Sequence, residues 1–171
     1  MFRRLLPSCH RLAVAFGGLC LAGAAAATPA DPALPAPSGD HWVLTLSPYT
    51  YHWHYDPAHV HVFLAGLEHR DADNTFKGVS LFRNSFGQPA AYAYYGWQWD
   101  QVLNQPALYA KLSLGVIYGY LPPYNDKVPL NYHGYSPGVI PALGYRLDPQ
   151  DAIQLNLLGT AGLMLSYTRE F

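Results

Sequence analysis

Cysteine is nearly missing from this chain of 171 residues, and the two that occur, Cys9 and Cys20, both fall within its first twenty positions. The remainder therefore has neither a disulfide framework nor a thiol nucleophile. Charge is scarce as well. Asp, Glu, Lys and Arg make up 12% of the residues, against about 25% in an ordinary soluble domain. No cluster of Lys and Arg offers a nucleic-acid surface. No apolar run reaches the roughly 20 residues that a spanning helix needs, and beyond residue 41 no segment sustains a helical period.

Aromatic residues, by contrast, make up 15% of the chain. The N-terminus carries Arg3, Arg4 and Arg11, then an apolar stretch over 12–22 and small residues over 23–27. A basic region, a short apolar core and an A-x-A site form a secretory signal peptide, with cleavage expected after Ala27. Gly17, Gly18 and Leu19 precede Cys20, so the lipoprotein pattern is not met. Taking 1–27 away leaves 144 residues, enough for one domain. It also removes three arginines, leaving seven basic against eleven acidic residues and a formal charge of −4. Residues 28–41 form a lead-in rich in Pro and Ala.

From 42 to 171 the chain reads as alternating runs of strand length. Eight are expected, at 42–53, 59–70, 75–85, 90–100, 107–120, 137–147, 151–158 and 161–171. The connections sort by length. Those at 71–74, 101–106 and 148–150 are short, while those at 54–58, 86–89, 121–136 and 159–160 include the longest. This is the arrangement of an all-β, eight-stranded antiparallel transmembrane barrel with short periplasmic turns and longer outer loops. Many aromatics with few charges fit a lipid-facing surface girdled by Tyr and Trp. The last strand places Leu163, Leu165, Tyr167, Arg169 and Phe171 on one face. A terminal phenylalanine after an alternating strand is a signal for barrel assembly machinery. The expected location is the outer membrane of a Gram-negative bacterium. The competing soluble reading is a lipocalin-like barrel with an apolar interior.

Parity assigns the lumen. On 107–120, Leu108, Ala110, Leu112, Leu114, Val116, Tyr118 and Tyr120 face outward, which leaves Tyr109, Lys111, Ser113, Gly115, Ile117 and Gly119 inside. Inward residues elsewhere include Val62, Leu64, Gly66 and Glu68, then Gly138, Ile140, Ala142, Gly144 and Arg146, then Gly162, Met164, Ser166, Thr168 and Glu170. Glu68, Lys111, Arg146 and Glu170 gather at the periplasmic end, where Lys111 and Arg146 would neutralise the two glutamates. Small and apolar residues occupy the other half. Leu64, Gly115, Ile117, Gly119, Ile140 and Met164 mark an apolar slot suited to an acyl chain, since an eight-stranded barrel holds side chains or one small ligand. Glycines that only permit curvature would explain the same pattern.

Two clusters could carry chemistry. Tyr51-His52-Trp53-His54-Tyr55-Asp56 is followed by His59 and His61. These histidines suit an interface belt, a general base or a Zn²⁺ or Cu²⁺ site, and no metal is assigned. The second cluster is Phe82-Arg83-Asn84-Ser85-Phe86, with Tyr94-Tyr95-Gly96-Trp97 on the returning strand. Serine needs a base to become a useful nucleophile, and the histidines stand at the same mouth. Asn-Ser-Phe-Gly-Gln-Pro is also ordinary turn chemistry.

Over most of 50–171 the chain resembles the lipid A palmitoyltransferase family of outer-membrane barrels. The likeness lies in Trp53-His54, in the run from Gly78 to Phe82-Arg83-Asn84-Ser85, in Tyr94-Tyr95-Gly96-Trp97, and in the proline-bearing stretch 137–141. It implies an interior acyl pocket and transfer of palmitate from phospholipid to lipid A, with His, Asp and Ser at the outer mouth. Asn84 stands at the aspartate position. The resemblance therefore implies His54 as general base, with His52 its nearest rival. Ser85 would assist, and Asn84 would donate a hydrogen bond to the ester carbonyl. Phospholipid and lipid A are the expected partners of a monomer without cofactor or nucleic acid. A small-solute transport barrel and a structural or adhesive barrel stand beside this reading.

Overall fold

The computed structural model describes residues 39–171. The signal peptide expected at 1–27, and all of the lead-in up to 38, lie outside the described residues. Eight strands follow: β1 (His41–His52), β2 (Leu64–Arg70), β3 (Thr75–Arg83), β4 (Pro89–Asp100), β5 (Leu108–Tyr118), β6 (Tyr135–Arg146), β7 (Asp151–Leu157) and β8 (Gly162–Glu170). Each pairs antiparallel with its sequence neighbour, and β1 pairs with β8 to close the barrel. Only β2 departs from expectation by more than two residues at an end, because 59–63 adopt no regular structure.

Closure is completed at the last residue. Trp42 and Phe171 exchange backbone hydrogen bonds, with the Trp42 N–H donating at 3.0 Å and the Phe171 N–H at 2.9 Å. One rim of the barrel thus carries both ends of the strand series and the turns before Thr75, Leu108 and Asp151. We call it the terminal rim. The opposite loop rim carries 53–63, 84–88, 119–134 and 158–161.

The two faces are inverted relative to a soluble barrel. The inside buries Glu68, Arg70, Gln98, Lys111, Arg146, Gln154, Asn156, Ser166, Thr168 and Glu170. The outside exposes Leu44, Leu67, Val79, Leu81, Leu114, Val116, Val139, Leu143, Leu155 and Leu165. Exposed aromatics mark both rims. Trp42, Trp97, Trp99 and Tyr145 lie toward the terminal rim, and Tyr49, Tyr51, Tyr118 and Tyr135 toward the loop rim. The side chains expected inward from parity do line the interior, but β5 ends at Tyr118, so Gly119 falls in the following turn. Tyr120, expected outward, lines the interior cavity because strand alternation has stopped.

The polar interior is held by ion pairs. Lys111 Nζ donates to both Glu68 oxygens at 2.7 and 2.8 Å. Arg70 donates to Glu170 at 2.8 Å and to Glu68 at 3.1 Å. Arg146 does not reach Glu170 as expected; it pairs with Asp100 at 3.1 Å and lies over the Tyr109 ring. The central cation is Arg70, which ends β2 and continues inward beyond Glu68 the alternation expected over Val62, Leu64 and Gly66. Burying these charges is tolerable because each has an oppositely charged partner in hydrogen-bond contact.

Candidate functional site

The barrel wall is complete near the terminal rim and incomplete near the loop rim. β1 pairs with β2 only over residues 41–47. Above a register shift between Leu46 and Tyr49, its upper half pairs with β8 alone. Segment 59–63 stays instead with β3, where the Arg83 N–H donates to Phe63 O and the Val60 N–H to Ser85 O. A second seam runs between β6 and β7, which pair only from Ala142 to Arg146. The unpaired part of β6 carries Pro137 and Pro141, and proline has no N–H to offer a neighbouring strand.

Inside the loop-rim half lies a cavity of about 420 Å³, within the range of roughly 300–1,000 Å³ usual for small-molecule sites. Leu64, Phe82, Ile117, Ile140 and Met164 form its apolar wall. Glu68, Phe76 and Lys111 line it on the side of the ion cluster, with Lys111 seated 4.0 Å from the Phe76 ring. Val139 is 60% exposed on the outer surface and yet lines the cavity, together with Leu158 and Gly159 across the β6–β7 seam. The cavity therefore reaches the β6–β7 seam.

Four of the six residues expected to line an acyl slot do line this cavity: Leu64, Ile117, Ile140 and Met164. Gly115 and Gly119 do not. A side chain on Gly115 would run into the Tyr92 ring and the Ala93 carbonyl, so Tyr92 occupies the space that Gly115 vacates. The Tyr92 hydroxyl is held by Ser113 at 3.0 Å. Gly119 has a φ of +124° and packs against Pro89 and Ala90, placing it in the turn leaving β5.

His52, the last residue of β1, meets Ser85 at the cavity mouth. Nε2 of His52 lies 2.7 Å from Oγ of Ser85, and both line the cavity. The His52 ring packs 4.1 Å from that of His59, which rests edge-on against Phe86. His54, the expected base, is exposed in the bend after β1 and does not line the cavity. The reason is strand alternation: His52 and His54 differ by two, but β1 ends at His52, so the inward period no longer applies beyond it.

Asn84 is 1% exposed and its amide is fully engaged. Oδ1 accepts from the N–H groups of Phe86 and Gln88, both at 3.0 Å. Nδ2 donates to Gly119 O at 3.1 Å and to Gln88 Oε1 at 3.3 Å. It has no hydrogen bond with His52 or Ser85. Asn84 staples the β3–β4 turn to the turn after β5, and no amide hydrogen is left for an ester carbonyl.

The long loop after β5 covers the mouth. Lys127, Val128 and Pro129 line the cavity. Lys127 pairs with Asp56 at 3.4 Å, and Tyr124 stacks on Phe86 at 4.4 Å. The Ala58 N–H, and after it Lys127, hold the Asp56 carboxyl below the usual carboxylate range.

No protein-family model matches the chain, and no curated protein matches it.

Proposed function

We propose that this protein is an outer-membrane barrel that takes one acyl chain of a phospholipid into its interior and transfers it to a hydroxyl of lipid A. The observation that carries this reading is the cavity: walled largely by apolar side chains, backed by an ion cluster, reaching the β6–β7 seam, with His52 and Ser85 in contact at its mouth. The outward apolar band between two aromatic girdles supports membrane residence. It disfavours the soluble barrel, whose apolar face would be inside. A dead-end cavity also suits a chain better than it suits solute passage.

The chemistry follows from the dyad. In the tautomer with its proton on Nδ1, His52 accepts the Ser85 hydroxyl proton at Nε2. Oγ attacks the ester carbonyl, the bond to the glycerol oxygen breaks, and the lysophospholipid leaves with that proton. A lipid A hydroxyl, deprotonated by the same imidazole, then attacks the acyl-serine and frees Ser85. Asn84 supplies no carboxylate to orient the imidazole, so turnover is low.

Purified barrel should be mixed with phospholipid and lipid A, and lipid A mass followed. His52→Ala and Ser85→Ala should each lower transfer by about 10²–10⁴-fold, while His54→Ala retains most activity. All three should keep the heat-modifiable migration of a folded barrel. Absence of transfer from every phospholipid offered to the wild-type protein would overturn the reading.

A further inference from the structure

At the terminal rim, on the outer side of the barrel, three potential metal ligands converge from two parts of the chain. Asp40 immediately precedes β1, His69 lies near the end of β2, and Asp71 opens the β2–β3 turn. One donor atom from each lies within 4.8 Å of the others. From His69 Nδ1 and this pair of carboxylates, we propose a divalent transition-metal site, with Zn²⁺ as its best-matched ion.

The geometry is close to what the ion requires. Zn²⁺ binds imidazole nitrogen and carboxylate oxygen at about 2.0–2.2 Å in a tetrahedron, which sets neighbouring donors roughly 3.3–3.6 Å apart. His69 Nδ1 and Asp71 Oδ1 stand 3.0 Å apart. Nδ1 is sealed from solvent and makes no hydrogen bond, despite the nearness of that oxygen. A partly buried imidazole whose nitrogen faces a carboxylate without hydrogen-bonding to it is satisfied by a cation placed between them. Trp42 packs edge-on against the His69 ring at 4.9 Å and fixes its orientation.

Asp40 retains a free oxygen, because only Oδ1 is used, accepting from the Ala72 N–H at 2.9 Å. Its exposed side chain can close the remaining gap. The rival cation is Lys77, whose Nζ lies 3.6 Å from Asp71 Oδ2 but is largely exposed. A mixed nitrogen and oxygen donor set without sulfur suits Zn²⁺ or Mn²⁺ better than a soft ion. Bound metal would tie the start of β1 to the β2–β3 turn. The site is independent of the acyl-transfer reading.

The test is calorimetric titration of Zn²⁺ into untagged, refolded barrel in detergent, with the thermal midpoint followed in parallel. One saturable site and a raised midpoint are expected. His69→Gln and Asp71→Asn should each weaken binding at least about tenfold, no less than the loss of a group that merely orients a ligand. Lys77→Met should tighten binding, because the competing cation is gone. The double variant His52→Ala, His59→Ala should leave affinity unchanged. All of these positions are at the rim or the mouth, and heat-modifiable migration reports whether each variant folds. Lack of saturable binding by folded wild-type protein would overturn the proposal. So would binding that survives His69→Gln but disappears with the loop-rim histidines.

Discussion

The two halves of this barrel solve opposite problems with the same eight strands. Toward the terminal rim the wall is fully paired, and the lumen is filled by Glu68, Arg70, Lys111 and Glu170 in mutual contact. Toward the loop rim two seams interrupt the wall, and the lumen holds a cavity in place of an ion cluster. A buried ion cluster demands dense packing and complete partnering, which leaves no room for a ligand. Stability and function are thereby separated along the barrel axis. Substitutions below the cavity should unfold the protein, and substitutions at its mouth should disable it without unfolding it.

The sharpest test of that division is Lys111→Met. It leaves Glu68 with Arg70 alone, and breaking a buried pair costs about 3–5 kcal/mol. The urea midpoint of the detergent-folded barrel should fall accordingly, and adding Glu68→Gln should recover part of it. Additive losses in that double-mutant cycle would show that the cluster is not one unit. A smaller effect is expected from Asn84→Asp at the loop rim. The substitution keeps the two backbone acceptor contacts but turns a carboxylate oxygen toward Gly119 O, where Nδ2 now donates. The lost donor should cost about 1–3 kcal/mol, with no gain in acyl transfer. A faster enzyme would mean that a carboxylate at this position reaches His52 after all.

The smallest effect should be on the loop latch. The lowered pKa of Asp56 means that its pairing with Lys127 is present at and above the ordinary carboxylate range. It is lost as pH falls through the depressed value. Protease sensitivity of 121–134 should therefore rise only in strong acid, and Asp56→Asn should raise it at neutral pH. Equal sensitivity of both proteins at pH 7 would leave the latch without effect.

Much of this architecture was legible without coordinates. Strand alternation reports which face each residue takes, and a lumen-facing Lys or Glu within a run of outward Leu and Tyr is hard to mistake. For that reason the strand count, the inside–outside partition and the Glu68–Lys111 contact were all readable. Periodicity, however, says nothing about which inward residues meet across the lumen. Arg146 and Glu170 lie at similar heights on strands two apart, yet Asp100 is the partner of the first and Arg70 of the second. Closure of the barrel chose between them.

The pairing of His52 with Ser85 was half visible. Ser85 and a histidine at the same mouth follow from strand order alone, but the choice between His52 and His54 depended on where β1 stops, a boundary set by pairing with β8. Asn84 is the clearer lesson. Its position in the chain invited a catalytic role, while its four hydrogen bonds assign it to holding two turns together. Period-2 alternation of apolar and polar side chains is a local property, so sequence by itself determined the barrel's strands and the sign of each face. Which polar atoms are free and which are spent depends on neighbours brought together across the barrel, and only the tertiary structure decided that.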